Sequence, residues 1–249
     1  TLHRGRTMAI VGESGSGKST LARAVTGLLA PRSGRIAFDG AELSPELRQR
    51  SRDQRRRIQM IYQMADTALN PRQRIRDIIG RPVAFYHGLD ARGVRARVDQ
   101  ILDMIGLPRA FAERVPSELS GGQKQRIGIA RALAADPDVI ICDEVTSALD
   151  RVVAEDILNL LLSLRRERGL SYLFITHDLE TVKDIADDIV VMRGGRVVDS
   201  GLKGDVFSAP LQPYTQLLLD SIPEMRIDWL DERIAAGQAR EGRTGERNG

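Results

Sequence analysis

Gly12-Glu13-Ser14-Gly15-Ser16-Gly17-Lys18-Ser19 is the stretch on which the reading of this 249-residue chain turns. Before it runs Thr7-Met8-Ala9-Ile10-Val11, short and apolar, which reads as a buried strand. After it, apolar residues at Leu21, Val25 and Leu28-Leu29 read as a helix. The pattern is G-x-x-x-x-G-K-[ST] set between a strand and a helix. Its glycines let the backbone curl so that successive N–H groups face phosphate oxygens, and the helix start adds the positive end of its dipole. Lys18 would reach the β- and γ-phosphates, and Ser19 would place its hydroxyl on Mg²⁺. The bland alternative is a Gly/Ser-rich turn with an incidental Lys, which would not need both flanking elements. The stretch reads as a nucleotide-phosphate site.

Working outward, Pro31 and Gly34 break the helix, and residues 35–40 read as a strand closed by a turn. Ser44-Pro45-Glu46 has the form of an N-cap with Pro at the first helical position, opening a polar helix. Residues 58–62 are the next strand. Between residues 70 and 118 strand signals stop, and Val94, Val98, Ile101, Leu102 and Ile105 recur at near-helical spacing until Gly106 and Pro108. Strands resume at 139–142, 172–176 and 189–192, separated by helices near 151–168 and 178–186. Alternation of this kind implies an α/β fold with a mainly parallel, doubly wound sheet, interrupted once by an inserted all-helical subdomain. No internal repeat is found. The end from Asp228 is charged and contains glycine, and is expected to fray.

Composition sets the outer limits. A hydrophobic fraction of 42% and a charged fraction of 29% exclude wholesale disorder. Aromatics are only 4%, so the core must come from Ile, Leu, Val and Ala, which favours α/β over a small aromatic-rich β domain. Lys and Arg outnumber Asp and Glu by 37 to 34, too mild an excess to require a nucleic-acid partner. The single cysteine, Cys142, excludes an intrachain disulfide and a four-cysteine metal site in this chain, and it fits a reducing compartment. Aliphatic runs such as Val139-Ile140-Ile141-Cys142 fall far short of the ~18 residues of a membrane span, and residues 1–249 carry no stretch that reads as a signal peptide. Work at a membrane would therefore need another chain. With a buried strand beginning at Thr7, the start at Thr1 is expected to be a cut, by processing or by division of a longer polypeptide.

Two further motifs carry chemistry. Val139-Ile140-Ile141-Cys142-Asp143-Glu144 is an apolar strand ending in two acids. Ligands of open α/β sheets bind beyond the carboxyl ends of the strands, where these acids fall. Asp143 would hold Mg²⁺, and Glu144 would orient and deprotonate an attacking water. Two solvated acids at a loop start would be the bland reading, which the upstream phosphate loop disfavours. Leu119-Ser120-Gly121-Gly122-Gln123 precedes a helix through Ile127, Ala130 and Leu133. Ser120 and Gln123 have the spacing of a capping box, so the motif could simply start a helix. That leaves Gly121-Gly122 unexplained, since each glycine costs a helix about 1 kcal/mol. Two residues without side chains at a helix N-terminus make a bare anion platform. A second platform beside a loop that already binds phosphates suggests a nucleotide shared between two copies.

With these residues in place the chain resembles the nucleotide-binding subunit of ABC transporters over nearly its whole length. Gly12–Ser19 resembles Walker A, Leu119–Gln123 the ABC signature, and Val139–Glu144 Walker B. Ser147-Ala148-Leu149-Asp150 resembles the D-loop, Gln63 the Q-loop glutamine and His177 the switch histidine. Walker A occurs across many NTPases; the signature with these companions is the specific part. The resemblance implies a P-loop NTPase fold with an antiparallel edge to the sheet. It implies a core of residues 1–63 and 136–206, a helical subdomain of 64–135 that includes the signature helix, and a C-terminal extension of 207–249. It implies a head-to-tail dimer holding two ATP molecules. Each would be bound by Gly12, Ser14, Gly15, Ser16, Gly17, Lys18, Ser19 and Thr20 of one half, and by Ser120, Gly121, Gly122 and Gln123 of the other. Ser19, Asp143 and Gln63 would serve Mg²⁺. Glu144, His177, Gln63 and Lys18 would serve hydrolysis, with Gln63 also coupling the γ-phosphate to the membrane partner. From the residues alone, a His after a strand is more often a structural hydrogen-bonder, and Gln63 carries no functional weight.

The branch is narrowed by Ala68-Leu69-Asn70-Pro71, which resembles a segment of oligopeptide, dipeptide and nickel importer ATPases. The tail adds Phe207-Ser208-Ala209-Pro210, Pro213-Tyr214-Thr215, Leu217-Leu218 and Ser221-Ile222-Pro223, which look like the same branch's C-terminal segment. An ordinary surface helix after two prolines is the bland reading. The resemblance implies uptake of peptides or a related small solute through a separate multi-span permease, fed indirectly by an extracytoplasmic solute-binding protein. The second nucleotide-binding domain would be identical, homologous or fused, and the chain would lie on the cytoplasmic face of the membrane with no nucleic acid bound. Three departures stand out. There is no Cys-rich C-terminal element; Val145 stands where Pro commonly follows; and residues 1–6 contain no Phe, Tyr or Trp to stack on adenine, as expected of a truncated chain or one half of a fused pair.

A soluble ABC-type ATPase acting on nucleic acid or the ribosome is the alternative. Arg48, Arg52, Arg55 and Arg56 offer it some support, although a solvated helix face beside Glu46 and Asp53 accounts for them. The inserted block of about 50 residues lacks the sustained heptads of a coiled-coil arm. A P-loop kinase or GTPase fails, with no N-K-x-D run for guanine and no use for a second platform.

Overall fold

Near-continuous aliphatic strands are the mark of a parallel sheet covered on both faces, and the computed structural model, described over residues 1–63 and 68–221, bears this out. Six strands make the sheet: β1 (Thr7–Val11), β4 (Ile58–Ile61), β5 (Val139–Asp143), β6 (Ser171–Ile175), β7 (Asp188–Arg193) and β8 (Arg196–Leu202), in the order β4-β5-β6-β1-β7-β8. All neighbours are parallel except β7 and β8, the antiparallel edge. A separate two-stranded hairpin is formed by β2 (Ala37–Phe38) and β3 (Ala41–Glu42).

The helices follow the strands. They are α1 (Lys18–Thr26), α2 (Arg52–Arg57), α3 (Ile75–His87), α4 (Ala91–Met104), α5 (Gly121–Leu133), α6 (Arg151–Arg168), α7 (Leu179–Ile185) and α8 (Lys203–Val206). Among the described residues between 70 and 118 there is no strand, only α3, α4 and two short 3-10 turns. Ile75, Ile79 and Val83 of α3 pack in one core with Val98, Ile101 and Leu102 of α4 and with Ile127, Ile140, Leu161, Tyr172 and Phe174. The helical block is therefore sealed to one face of the sheet. The other face carries Ile10, Ile141, Leu173 and Ile175 against Ala22 of α1. Ile140 and Ile141 lie on opposite faces, as the two-residue period of a strand requires.

The chain divides after Ala209. In the second unit Gln212 caps α9 (Pro213–Asp220), its Oε1 accepting the N–H groups of Tyr214 and Thr215 at 2.6 and 3.0 Å. The expected fraying from Asp228, Ile222-Pro223 of the tail pattern, and residues 64–67 of the helical span lie outside the described residues.

Three local expectations need correction. The strand read at 35–40 is only Ala37–Phe38, because Asp39 and Gly40 both take positive φ and fold the chain straight back into β3. No helix opens at Ser44. The Leu47 N–H donates to the Gly27 carbonyl, pinning the segment to the end of α1, and only a 3-10 turn follows at Leu47–Gln49. Helix α2 instead starts at Ser51, whose hydroxyl accepts the Gln54 N–H while the Gln54 side chain accepts the Ser51 N–H. Finally, α1 stops at Thr26 on a left-handed Gly27, leaving Leu28 and Leu29 exposed beyond it.

At the amino-terminal ends of the central strands a polar knot replaces apolar packing. Asp187 accepts the backbone N–H of fully buried Thr7 at 2.8 Å and the Arg165 guanidinium at 2.7 Å, and Arg165 also donates to the Thr7 hydroxyl. Arg6 grips Asp188 with two hydrogen bonds next door. Removing the carboxylate leaves a buried N–H and a half-buried cation short of partners. Asp187→Ala is expected to lower unfolding stability by about 2 kcal/mol; urea denaturation of the purified protein measures it.

Candidate functional site

The register of the parallel strands brings three loops to one edge. Ile10 pairs with both Ile175 and Val190, and Asp143 pairs with Ile175, so β1, β5 and β6 end level. The loop after β1 is the glycine-rich one. Gly12 has φ +149°, and a Cβ there would lie 2.1 Å from the Met192 carbonyl oxygen, so only glycine fits. Gly17 turns into α1 with a left-handed backbone. Lys18, the first residue of α1, is 5% exposed, and its ammonium donates to the carbonyls of Gly12 at 2.7 Å and Glu13 at 2.8 Å. Burial holds its pKa below the ordinary lysine value, against the pull of Glu144 and Asp143. Ser16 is buried beside it, while Ser14 and Gly15 at the loop tip and Thr20 on α1 are exposed.

Beside this cation stand the two acids. Asp143 accepts the Ser19 hydroxyl at 2.9 Å. Burial raises its pKa, with the Ser19 bond opposing and the Glu144 charge adding to the rise. Glu144 is one of three non-glycine residues with positive φ among the described residues, at +50°. Its N–H donates to the Ile175 carbonyl, and its own carbonyl accepts both the N–H and the hydroxyl of Ser147, so the unusual backbone is held on both sides. Strain kept by surrounding bonds is commonest where a side chain must be aimed. The Glu144 carboxylate is aimed at two partners. Gln63, at the end of the chain segment leaving β4, donates through Nε2 to Oε2 at 2.5 Å, and His177 Nδ1, in the loop after β6, lies 3.6 Å from Oε1. Lys18, Ser19, Asp143, Glu144, Gln63 and His177 thus form one constellation drawn from four strand ends.

Ser120–Gln123 make their contacts elsewhere. Ser120 caps α5, accepting the Gln123 N–H, and the Gln123 side chain accepts the Ser120 N–H; this is the capping box that the spacing allowed. Gly122 has a packing reason invisible in the sequence: a Cβ there would lie 2.5 Å from Val153 Cγ1 on α6. Gly121 has none of that kind, since a Cβ would meet Leu149 at an ordinary 3.7 Å. Ser120 and Gly121 are both exposed at the start of α5. Leu149 and Val153 flank Asp150, which caps α6 by accepting the Val153 N–H. The sequence reading also missed Met192, whose carbonyl closes on Gly12; nothing in its spacing could have marked it.

A glycine-rich loop joining a parallel strand to a helix, with a buried lysine at its base and a Ser–Asp pair on the neighbouring strand end, defines a P-loop nucleoside triphosphatase. Residues 1–147 match the ABC transporter family, and residues 198–246 match the C-terminal region of oligopeptide/dipeptide transporters. The chain belongs to the ABC transporter family, as an ATP-binding, ATP-hydrolysing subunit. It is 46% identical over 223 residues to the oligopeptide transport ATP-binding protein OppF of Salmonella typhimurium, covering 89% of this chain and 67% of that one. It is 42% identical over 233 residues to the dipeptide transport ATP-binding protein DppF of Escherichia coli, covering 94% and 70%.

Among solved structures, cbiO1 of Clostridium perfringens, described as part of the ABC transporter complex cbiONQ, superposes with a TM-score of 0.74. The two are 29% identical, with 94% of this chain and 89% of that one covered. The cassette MJ0796, solved as a post-hydrolysis dimer with ADP and Pi, gives 0.70 at 32% identity, covering 81% and 87%. The transport ATPase reading therefore stands over that of an ATPase acting on nucleic acid or the ribosome. No helix of the described residues is long and apolar enough to cross a membrane.

The close approach of α5 to α6 is testable. Gly122→Ala forces its methyl onto the stiff Val153 side chain and is expected to cost about 1–3 kcal/mol. Adding Val153→Ala opens the space, so the double variant should recover most of the loss in a thermal or urea melt.

Proposed function

We propose that this chain powers uptake of peptides or a related small solute by hydrolysing ATP between its own phosphate loop and the Ser120–Gln123 segment of a second nucleotide-binding domain. The observation that carries it is the meeting of Gln63, Glu144 and His177 beside the Lys18–Ser19–Asp143 cluster. Relatives named for oligopeptide and dipeptide transport, with the match over residues 198–246, support the solute class.

Gly12, Ser14, Gly15, Ser16, Gly17, Lys18, Ser19 and Thr20 cradle the phosphates. The Lys18 ammonium, already stripped of most water, exchanges loop carbonyls for phosphate oxygens at little further desolvation cost. The donor set also suits Mg²⁺: a hydroxyl and a buried carboxylate in contact are hard oxygen ligands, and a divalent ion would relieve the repulsion between that carboxylate and the adjacent Glu144. Ser19 and Asp143 would hold it, with Gln63 alongside. When bound, Mg²⁺ neutralises charge on the phosphates. Glu144 accepts the proton of the attacking water; Gln63 and His177 aim its carboxylate, and His177 faces the γ-phosphate. Ser120, Gly121, Gly122 and Gln123 supply the second domain's share through the N-terminus of α5, which is positive and bare of bulky side chains.

The second domain is an identical copy, a homologous chain or a fused partner. A groove of about 980 Å³, lined by Leu28, Leu47, Met60, Tyr62, Phe85 and Arg131 among others, runs beside the residue preceding Gln63. It suits a docked segment of a membrane permease, so that closure of two domains moves the permease. The chain then sits peripherally on the cytoplasmic face of the membrane, with a solute-binding protein delivering from the other side.

Glu144→Gln should keep ATP binding while turnover falls by about 10²-fold or more; a near wild-type rate in a phosphate-release assay would refute the base assignment. In the native host, the same substitution should abolish uptake of labelled di- and oligopeptides. Unchanged peptide uptake would refute the solute class.

A further inference from the structure

Both ends of the phosphate loop lie against the β7–β8 hairpin, most tightly at Gly12. A Cβ on Gly12 would meet the Met192 carbonyl, and one on Gly17 would lie 3.6 Å from Met192 Cε and 3.7 Å from Gly195 Cα. Between them, the Gly195 N–H donates to the Ser16 carbonyl at 3.0 Å. Gly15, at the loop tip, would meet nothing within 4 Å. The hairpin thus meets the loop near Gly12 and along Ser16-Gly17, and Gly15 at the tip has open space beside it.

The hairpin itself is firmly placed. β7 pairs directly with β1, the strand that feeds the loop, with Val11 opposite Val191. The β7–β8 pairing slips between Val191 and Met192, and the strands reverse through Gly194-Gly195, whose φ values of +53° and +78° suit a tight two-residue turn. A slip of this kind re-aims the residues beyond it. Here the residues beyond it are those that touch the loop.

We propose that the β7–β8 hairpin braces the phosphate loop, with Met192 and Gly195 as positioning residues for nucleotide binding. The proposal rests on the nucleotide reading above. A loop that must present several N–H groups in one curl pays its ordering entropy out of the binding free energy unless it is ordered beforehand. Lys18 orders the loop from inside, but its bonds to Gly12 and Glu13 must change when phosphates arrive. The hairpin meets the loop's outer side with the Gly195 N–H bonded to the Ser16 carbonyl, and with Met192 standing at the space that a Cβ on Gly12 or Gly17 would need. These contacts can persist with nucleotide bound.

Loosening the brace should therefore weaken ATP binding and leave the chemistry alone. Met192→Ala removes the side chain whose Cε stands 3.6 Å from where a Gly17 Cβ would lie, and is expected to raise the KM for ATP about 3- to 10-fold, with kcat within about twofold of wild type. Met192→Leu, close in volume, should restore KM. Gly195→Ala, which keeps the N–H but strains a positive φ in open space, should raise KM in the same way and serves if Met192→Ala folds poorly. Hydrogen exchange over residues 12–19 should quicken in the affected variants without nucleotide and return to wild-type protection at saturating ATP. A variant that melts lower while its KM and the exchange of residues 12–19 stay unchanged would overturn the brace, as would a fall in kcat at constant KM. Lys18→Ala separates the two ideas. If it loses ATP binding while the hairpin variants do not, the brace alone fails; if it too binds ATP normally, the nucleotide reading fails.

Discussion

A single ammonium group organises the site. Lys18 is buried where β1 gives way to α1, and two carbonyls of its own loop hold it there. A cation this far out of water persists only if hydrogen bonds and nearby negative charge repay its lost hydration. The loop supplies the carbonyls by curling; β5 supplies Asp143 and Glu144 by ending level with β1. The parallel registers and the glycine conformations are thus tied to one electrostatic demand. The same arrangement leaves a concentrated positive centre at the sheet edge, lined by acids suited to a metal ion. A triphosphate matches that pattern of charge.

The second dependence is mechanical. Glu144 owes its aim to a positive φ, to the turn closed by Ser147, and to Gln63 and His177 from neighbouring strand ends. Helix α5 starts with exposed Ser120 and Gly121 and packs closely on α6 at Gly122. Within one chain the phosphate loop and the start of α5 each have their own partners.

Much of this was legible in the sequence, for definite reasons. Strands buried on both faces are apolar along most of their length, so β1, β5, β6 and β7 stood out as runs, and the end of β5 located the acids. The G-x-x-x-x-G-K-S pattern is read by chemistry alone. The α4 pattern of Val98, Ile101 and Leu102 announced a helix because one face is fully buried. What failed was set by contacts between distant segments. The polar stretch at residues 44–51 looked like a helix start, but its backbone is claimed by the carbonyl of Gly27 at the end of α1. Leu28 and Leu29 continued a helical rhythm that Gly27 had already ended. β8 was not located, since an edge strand with Val197 and Leu202 exposed lacks a clean alternation. The close approaches at Gly12 and Gly122 are properties of Met192 and Val153, which lie far off in the chain or across a helix packing. Glycine in those motifs reads as freedom to turn; the structure adds that backbone leaves no room for a Cβ at Gly12, and that a Cβ at Gly122 would collide with the Val153 side chain.

The central claim is that the pocket at Lys18 is half a site, completed by Ser120 and its neighbours from another domain. Mixing two disabled forms of the protein tests it directly. Lys18→Ala lacks a working phosphate loop, and Ser120→Arg blocks the start of α5; neither alone should hydrolyse ATP. Mixed in equal amounts, they should recover activity well above the sum of the two, because a mixed pair rebuilds one intact site from the good half of each. If the mixture hydrolyses no faster than that sum, or if Ser120→Arg alone is fully active, the nucleotide is not shared and the account is wrong.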